Sequence, residues 1–178
     1  KIALTTLNDG RLSIPNTCVG TSKACLQTVR RWGAERVQWG VPVGKHEALT
    51  HKISDIAATV FAMESIVKLT SFLANDKKLD LRLESAACKE WNTAQGYHII
   101  DETMQIRGGR GYETEASLRS RGEEAMPVER LMRDSRINRV SALALSMLCS
   151  TLLSASGLRA SGHGKPPTGR RGVKTSEQ

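Results

Sequence analysis

Aromatic residues are scarce in this sequence, at 4% of 178 residues. The extended runs of Val, Ile, Thr and Tyr that mark β-strands are also missing. The rest of the composition is ordinary for a globular protein, with 39% apolar and 25% charged residues. The length supports one domain with a substantial core. The composition therefore excludes a chain that is disordered throughout, and it predicts an all-α fold.

The sequence has no CxxC pair, and we expect no secretory leader. Four cysteines are scattered along the chain: Cys18, Cys25, Cys88 and Cys149. In a long chain of this kind we expect them to be reduced thiols, most of them packed in the interior. The chain also begins at Lys1 rather than at a methionine, so we expect it to have been cut from a longer protein or trimmed.

The charge is not spread evenly. The whole chain has 26 Lys plus Arg against 18 Asp plus Glu, a net charge of +8. The last forty residues hold six basic side chains and one acid, which is +5, and the first 138 hold 20 against 17, which is +3. This distribution argues against a uniformly basic nucleic-acid-binding domain, and no nucleic-acid partner is expected.

Helical periodicity is clearest in the first half of the chain. A first stripe of small and apolar residues has steps of four and three: Cys18, Ser22, Cys25, Val29 and Trp32. We expect this helix to begin just before Pro15 and to end near Gly33, since proline is tolerated in a first turn. A second helix is predicted from about Lys45, with Ile53, Ile56, Val60, Met63 and Val67 on one stripe.

Two further helices follow. The third is predicted from about Asp80 to the glycine pair Gly108-Gly109, which suits a helix end. Its predicted buried stripe is Leu83, Ala87, Trp91, Ala94 and His98. A polar loop is expected over 113–126, and Pro127 then suits the first turn of a fourth helix that runs to about Asn138. The sequence therefore predicts an antiparallel bundle of about four long helices.

Three segments resemble functional motifs but have simpler explanations. His46 and His51 imitate a zinc-binding HExxH motif, but their spacing of five places them about 140° apart on a helix, so no metal site is predicted. Arg107 to Gly111 contains an RGG-like string, which indicates either a structural glycine loop or a backbone that approaches a phosphate. Val140 to Leu158 is uncharged, but its six Ser and Thr residues argue against a membrane span.

Four stretches of the sequence, covering residues 1 to about 138, resemble the C-terminal domain of acyl-CoA dehydrogenases. They are Leu7–Arg11 (LNDGR), Glu35–Gly40 (ERVQWG), Gln105–Tyr112 (QIRGGRGY) and Pro127–Ile137 (PVERLMRDSRI). The resemblance implies the helical third domain of a flavoenzyme that oxidises an acyl-CoA to the trans-2-enoyl-CoA. In that family a carboxylate removes the α-proton, FAD accepts the β-hydride, and an electron-transfer flavoprotein reoxidises the flavin.

The resemblance also implies roles for individual residues. Arg36 matches the arginine that contacts the FAD diphosphate, for which a permanent planar cation is suited. The segment that lies against the FAD of the neighbouring subunit is matched by Gln105, Ile106, Arg107, Gly108 and Gly109. Arg11 matches an arginine near the acyl chain of the substrate, although a solvated charge at a helix start is an alternative. A flavin site shared between subunits implies a homodimer or a homotetramer.

The sequence departs from the family pattern at several positions. Asn8 replaces a usual acid, Glu47 replaces a glutamine of some members, and the 113–126 loop is longer than usual. Most importantly, Ala142 stands at the position of the catalytic base, and alanine cannot accept a proton. The chain has no carboxylate between Asp134 and Glu177. Glu102 and Glu113 remain as alternative bases on other elements.

The resemblance ends abruptly, so residues 139–178 are interpreted as a divergent tail, partly helical and then disordered. Our hypothesis is a shifted reading frame or a replaced terminus. Two functions stay open: a domain of an FAD-dependent acyl-CoA dehydrogenase that is inactive by itself, or a non-catalytic helical dimerisation module. The family implies either a bacterial cytoplasm or a mitochondrial matrix as the compartment.

Overall fold

The computed structural model describes residues 2–76 and 78–140, and it describes side chains from residue 10 to residue 139. The elements within this part of the chain are α1 (Ile2–Glu35), β1 (Val37–Gln38), β2 (Val41–Pro42), a 3-10 turn (Val43–Lys45), α2 (Glu47–Leu73), α3 (Arg82–Arg107), α4 (Gly109–Tyr112), α5 (Glu115–Ser120) and α6 (Val128–Val140). The two strands form one small antiparallel hairpin. The prediction of an all-α protein with about four long helices is therefore confirmed.

Helix α1 begins earlier than predicted. It runs through the Asn8-Asp9-Gly10 segment from Ile2, and Pro15 lies in its interior, fully buried. Proline removes one N–H from the helix ladder. Side chains near it bond to backbone carbonyls of the preceding turn, as Asn16 Nδ2 does to the Leu12 oxygen at 2.9 Å. The prediction of a start just before Pro15 was wrong: the helix continues on the N-terminal side of the proline, where the partly buried Ile14 still packs against the core.

The four long helices alternate in direction. Lys23 of α1 pairs with Glu64 of α2, and Gly33 lies against Ile53, so these two helices are antiparallel. Helices α2 and α3 are also antiparallel, because Lys52 near the start of α2 pairs with Glu102 near the end of α3. Helices α3 and α6 are antiparallel as well, because Lys89 near the start of α3 bonds to Asn138 near the end of α6. Consequently α1 and α3 run parallel to each other, and they make the most extensive helix contact in the described fold. Their C-terminal ends therefore lie at the same end of the bundle.

The core includes most of the predicted stripes of α1 and α2, together with residues of α3 and α6. On α1, Cys18, Cys25 and Val29 are buried. On α2 the buried residues include four members of the predicted stripe: Ile56, Val60, Met63 and Val67. Cys18, Cys25 and Cys88 are free and buried, as predicted, whereas Cys149 lies outside the described residues. The period-3.6 signal in these two helices thus identified their buried faces correctly.

The predicted stripe of α3 was wrong. Leu83 is 54% exposed, and Ala87 and His98 are exposed as well. The face of α3 that packs inside the bundle carries small and polar residues together with isoleucines: Ser85, Ala86, Cys88, Lys89, Asn92, Thr93, Gly96, Ile99, Ile100, Thr103, Ile106 and Arg107. Gly96 shows the reason, since a Cβ there would lie 3.3 Å from the Cβ of Cys18. Close approach of α1 requires small residues on this face.

The end of α3 and the start of α6 agree with the sequence prediction. Helix α3 ends at Arg107, and Gly108 then adopts a positive φ of 59°. Pro127 directly precedes α6, and its carbonyl accepts the N–H of Leu131 at 3.0 Å. The predicted loop 113–126 differs in part, because it contains helix α5, which Thr114 caps through its side chain. The capping hydroxyl gives this short helix a defined start.

Helix α2 is long and apolar enough to cross a membrane, as judged by length and composition, and it is the one such helix in the described part of the chain. Its buried stripe packs against α1 and α3. The segment that the sequence analysis considered, Val140 to Leu158, lies outside the described side chains.

Candidate functional site

Arg36 follows the end of α1, at the base of the small hairpin. Its backbone is fixed on both sides, because its N–H donates to the Trp32 carbonyl at 2.9 Å and its carbonyl accepts from Val43 at 2.7 Å. The guanidinium is exposed and lies over the Trp32 ring, 5.9 Å from the ring centroid. Arg36 therefore presents a permanent cation at the C-terminal end of α1.

Arg107, at the end of α3, contacts the same indole. Its guanidinium carbon lies 5.5 Å from the Trp32 ring centroid, and Nη1 donates to the Met126 carbonyl at 3.3 Å. The side chain is only 6% exposed, and burial lowers the pKa of Arg107 from its usual value. The parallel packing of α1 and α3 thus brings Arg36 and the 105–109 segment to one indole. These are two of the candidate sites that the sequence analysis proposed separately.

The glycine turn after α3 is open on its outer side. A Cβ placed on Gly108 or on Gly109 would meet nothing within 4 Å. The N–H of Gly111 donates to the Gly108 carbonyl at 2.9 Å, which closes the turn. Gln105, Gly108 and Gly109 face outward, whereas Ile106 and Arg107 face inward. A ligand outside the bundle can therefore reach the backbone here without obstruction from side chains.

A cluster of ion pairs lies directly after this turn, around Arg110. Arg110 Nη1 lies 2.7 Å from Glu113, and Arg110 Nε lies 2.8 Å from Glu123. Hydrogen bonds from Ser117 and then Arg110 lower the pKa of Glu113. A carboxylate with a lowered pKa is a weaker proton acceptor, so Glu113 is poorly suited to be the alternative base.

Arg11 lies near the opposite end of α1. Positions 11 and 36 are 25 residues apart, which is about 37 Å along an α-helix. Arg11 is close enough to Lys89 of α3 to contribute to lowering its pKa, although burial of Lys89 contributes most. Lys89 Nζ in turn donates to the Asn138 carbonyl at 3.4 Å. The structure thus brings Arg11 to the end of the bundle at which α6 ends.

The position of Ala142 lies outside the described residues, four positions after Asn138. The other alternative base, Glu102, is paired with Lys52 between α2 and α3. It is 13 residues from Lys89, about 20 Å along α3. Neither Glu102 nor Glu113 is therefore at the Arg11 end of the bundle.

The structure shows two tryptophans whose placement the sequence analysis missed. Trp32 had been assigned only to a core stripe, but its ring also contacts two arginines. Trp39 is 85% exposed and has a φ of 52° at the tip of the hairpin. The contact between Trp32 and Arg36 could have been predicted from their spacing of four, because residues at this spacing lie on one helix face.

His46 and His51 make different contacts and do not face a shared metal position. His51 lies 3.5 Å from Glu47, whereas the His46 ring packs edge-on against Trp39. Within residues 2–76 and 78–140, no group of three or more His, Cys, Asp or Glu side chains is arranged to hold a metal ion.

Comparison with known proteins identifies the domain. Residues 1–142 match the family model for the C-terminal domain of acyl-CoA dehydrogenases. The chain belongs to the acyl-CoA dehydrogenase family. The resemblance and the fold predicted from the sequence are both confirmed.

Curated relatives are similar over the same region. Over 140 aligned residues the chain is 54% identical to a protein of Mycobacterium tuberculosis named probable acyl-CoA dehydrogenase FadE10. The aligned region covers 79% of this chain and 22% of that protein. The chain is 31% identical to the short-chain specific acyl-CoA dehydrogenase of Sus scrofa mitochondria, covering 79% of this chain and 32% of that one. The chain therefore spans about a fifth to a third of the length of these relatives.

Solved structures give the same result. Butyryl-CoA dehydrogenase from Megasphaera elsdenii matches with a TM-score of 0.73 and 25% identity, over 86% of this chain and 38% of that one. An acyl-CoA dehydrogenase from Bacillus anthracis, described as complexed with FAD, matches with a TM-score of 0.67 and 26% identity, over 79% of this chain and 26% of that one.

Proposed function

We propose that this chain is the C-terminal domain of an FAD-dependent acyl-CoA dehydrogenase, an oxidoreductase that introduces a trans double bond between Cα and Cβ of an acyl-CoA thioester. The observation that supports this best is the meeting of Arg36 and the Gln105–Gly109 segment around one indole. The resemblance implies that both contact the cofactor, and the tertiary structure makes them neighbours.

The residues present fit a dinucleotide diphosphate. Arg36 supplies an exposed planar cation that can donate two parallel hydrogen bonds to phosphate oxygens. Gly108 and Gly109 supply a backbone surface free of side chains. The Arg107 guanidinium is buried on Trp32, so this residue would contact the cofactor through its backbone and would support the turn with its side chain. Bound FAD would supply the hydride acceptor for the oxidation.

The position of Arg11 supports a shared active site. We assign it to the acyl-CoA side of a pocket, and it lies about 37 Å along α1 from Arg36. Hydride transfer requires the substrate and the flavin ring to be in contact. One active site can hardly use both arginines of the same chain, so Arg36 would serve the FAD of a partner subunit. This favours a homodimer or a homotetramer.

Helix α2 offers a surface for that assembly. Its outer face exposes three large apolar side chains at helical spacing, with Phe61 74%, Leu69 59% and Phe72 73% exposed. Exposed apolar surfaces of this kind mark interfaces. We assign this face to contacts between copies of the chain.

The chemistry of the chain by itself is incomplete. Ala142 at the base position cannot remove the α-proton, and most of the cofactor pocket would lie on two preceding domains. The chain alone is therefore expected to be inactive. With an intact base and the other domains, its partners would be an acyl-CoA and an electron-transfer flavoprotein, in a bacterial cytoplasm or a mitochondrial matrix.

Sequencing the coding DNA tests the hypothesis of a shifted reading frame. If no neighbouring reading frame after Asn138 encodes a Phe-Glu-Gly-like string, the frameshift hypothesis is wrong.

The alternative is a non-catalytic helical dimerisation module. Two observations favour it: alanine at the base position, and the exposed apolar face of α2. Such a module would keep the subunit contacts and would have lost the flavin.

An FAD titration separates the two functions. We expect the purified chain to carry little flavin, and to bind added FAD weakly through Arg36. Arg36→Gln should weaken this binding, whereas Arg30→Gln, at an exposed arginine within α1, should not. A chain that binds no FAD but forms a folded dimer supports the dimerisation module. A protein that purifies with stoichiometric flavin contradicts our view that most of the pocket lies on other domains.

The assembly is tested by light scattering after size exclusion. Phe61→Ser combined with Phe72→Ser should shift the protein to the monomer. Val37→Ser, which removes an exposed apolar side chain from the hairpin instead, should leave the oligomer unchanged. A wild-type chain that is monomeric at all concentrations contradicts the proposed interface.

A further inference from the structure

Two arginines share one aromatic ring at the C-terminal end of α1. The guanidinium carbons of Arg36 and Arg107 lie 5.9 Å and 5.5 Å from the Trp32 centroid. Two like charges near the same side chain repel each other. The electron-rich face of an indole attracts a guanidinium, and tryptophan does so more strongly than phenylalanine or tyrosine. Trp32 therefore stabilises an arrangement that an aliphatic side chain would not.

The two arginines differ in how they are held. Arg107 is buried and is fixed from the far side by the Met126 carbonyl. The neighbouring Arg31 pairs with Glu124, so the segment before α6 is tied to the end of α1 as well. The ring itself packs against the hydrophobic core. Trp32 is thus a fixed platform, anchored by the core on one side and by Arg107 on another.

Arg36 is the exposed member of this group. Its backbone is held by hydrogen bonds to Trp32 and Val43, whereas its long side chain is exposed and has the Trp32 ring as its described contact. An exposed arginine side chain has much rotamer freedom, and ordering it when a ligand binds costs conformational entropy. Contact with a fixed indole reduces this freedom before a ligand arrives.

From this geometry we infer that Trp32 is a positioning residue of the flavin site: its indole pre-orients the Arg36 guanidinium for the diphosphate and couples it to the Arg107 side chain beneath the glycine turn. The inference rests on the proposed function. It adds that the cation is placed by an aromatic side chain and not by the backbone alone. The simpler role, in which Trp32 only fills the core, predicts no effect on the arginines beyond a loss of stability.

Arginine side-chain resonances of the labelled 178-residue chain test the inference directly. Protons near the face of an indole are shifted upfield by its ring current. We expect upfield resonances for Arg36 and Arg107, which return to ordinary positions in Trp32→Leu and stay partly shifted in Trp32→Phe. Trp91→Leu is the matched control, because Trp91 packs against the same core from α3. It should leave both arginines unchanged.

The same samples are then titrated with FAD. Trp32→Leu should raise the FAD dissociation constant about threefold, as expected from the strength of an exposed cation–π contact. Trp32→Phe should restore part of the affinity, and Trp91→Leu should behave as the wild type. Rescue by an aromatic residue separates positioning from core filling.

The outcomes distinguish the two levels of the proposal. If Arg36→Gln does not change FAD binding, or if FAD leaves the Arg36 resonances of the wild type unmoved, the proposed cofactor contact is wrong, and the role of Trp32 in it is wrong too. If Arg36→Gln weakens binding but Trp32→Leu does not, or if the arginine resonances are not upfield, the contact stands and the inference about Trp32 alone is overturned.

Discussion

Three glycines of the QIRGGRGY motif should respond very differently to alanine. At Gly111 an added Cβ would lie 2.6 Å from the carbonyl oxygen of Met104 and 2.8 Å from its Cα. These are backbone atoms of α3, which cannot rotate away as a side chain can. Helix α4 would have to move outward by several tenths of an ångström. Gly111→Ala is therefore an overpacking mutation.

The size of the effect follows from two opposing terms. Overpacking of this kind costs about 2–3 kcal/mol. Alanine recovers at most about 1 kcal/mol of helix propensity, and less than that in the single turn of α4. We expect Gly111→Ala to lower the free energy of unfolding by about 2 kcal/mol, which is roughly 6 °C in melting temperature for a chain of this length.

The other two glycines provide the comparison. Gly108 has open space around its Cβ position but a φ of 59° and a ψ of −138°, a conformation that L residues avoid. Gly108→Ala should cost about 1–2 kcal/mol through backbone strain alone. Gly109 has open space and no positive φ, so Gly109→Ala should be close to neutral.

Thermal unfolding followed by far-UV circular dichroism measures all three variants. The reasoning requires Gly109→Ala to unfold near the wild-type temperature, and the other two to unfold below it. If Gly111→Ala is as stable as Gly109→Ala, then α4 does not pack on the backbone of α3 as described. A Gly111→Ala variant that is no longer folded at room temperature is consistent with the clash.

Three further predictions concern the core and its titratable groups. Met63 is fully buried, so Met63→Ala should lower the free energy of unfolding in urea by about 2–5 kcal/mol. Hydrogen bonds from Lys23 and a second lysine lower the pKa of Glu64 from 4.5 to about 2. Its stabilising contribution is therefore complete above pH 4.5 and is lost as the pH falls towards 2, so the wild type should lose more melting temperature over this window than Glu64→Gln. Burial raises the pKa of Cys18 and of Cys25 to about 11, so mass spectrometry should find neither alkylated in the folded protein at pH 8.

The residues of the candidate site could be named from the sequence, but their relation to one another could not. Arg36 and the Gln105–Gly109 segment were found separately, by resemblance. Their meeting depends on the parallel packing of α1 and α3, which no local pattern encodes. The inward direction of the Arg107 side chain and the double contact of Trp32 follow from the same packing.

Arg11 shows the converse. The resemblance predicted a role for Arg11 at the substrate and for Arg36 at the flavin, but it did not predict how far apart the two side chains lie. Because both lie on or directly after one continuous helix, the structure separates them by about 37 Å. That separation is the physical reason for proposing that one chain serves two active sites.

The sequence by itself determined the helices whose buried faces are apolar and the points where strong local signals end them. The stripes of α1 and α2, the stop at Gly108 and the start after Pro127 all rest on periodicity, backbone freedom or a missing N–H.

Only the tertiary structure decided the course of α1 through Pro15 and the buried face of α3. That face includes Asn92 and Thr103, polar side chains that periodicity assigns to the surface. Asn92 donates to the Cys88 carbonyl at 2.8 Å, and Thr103 donates to the Ile99 carbonyl at 2.7 Å. A hydroxyl that donates to its own helix, as that of Thr103 does, can enter the core at little cost. Its small size then lets the neighbouring helices pack closely, a requirement that exists only once those helices have met.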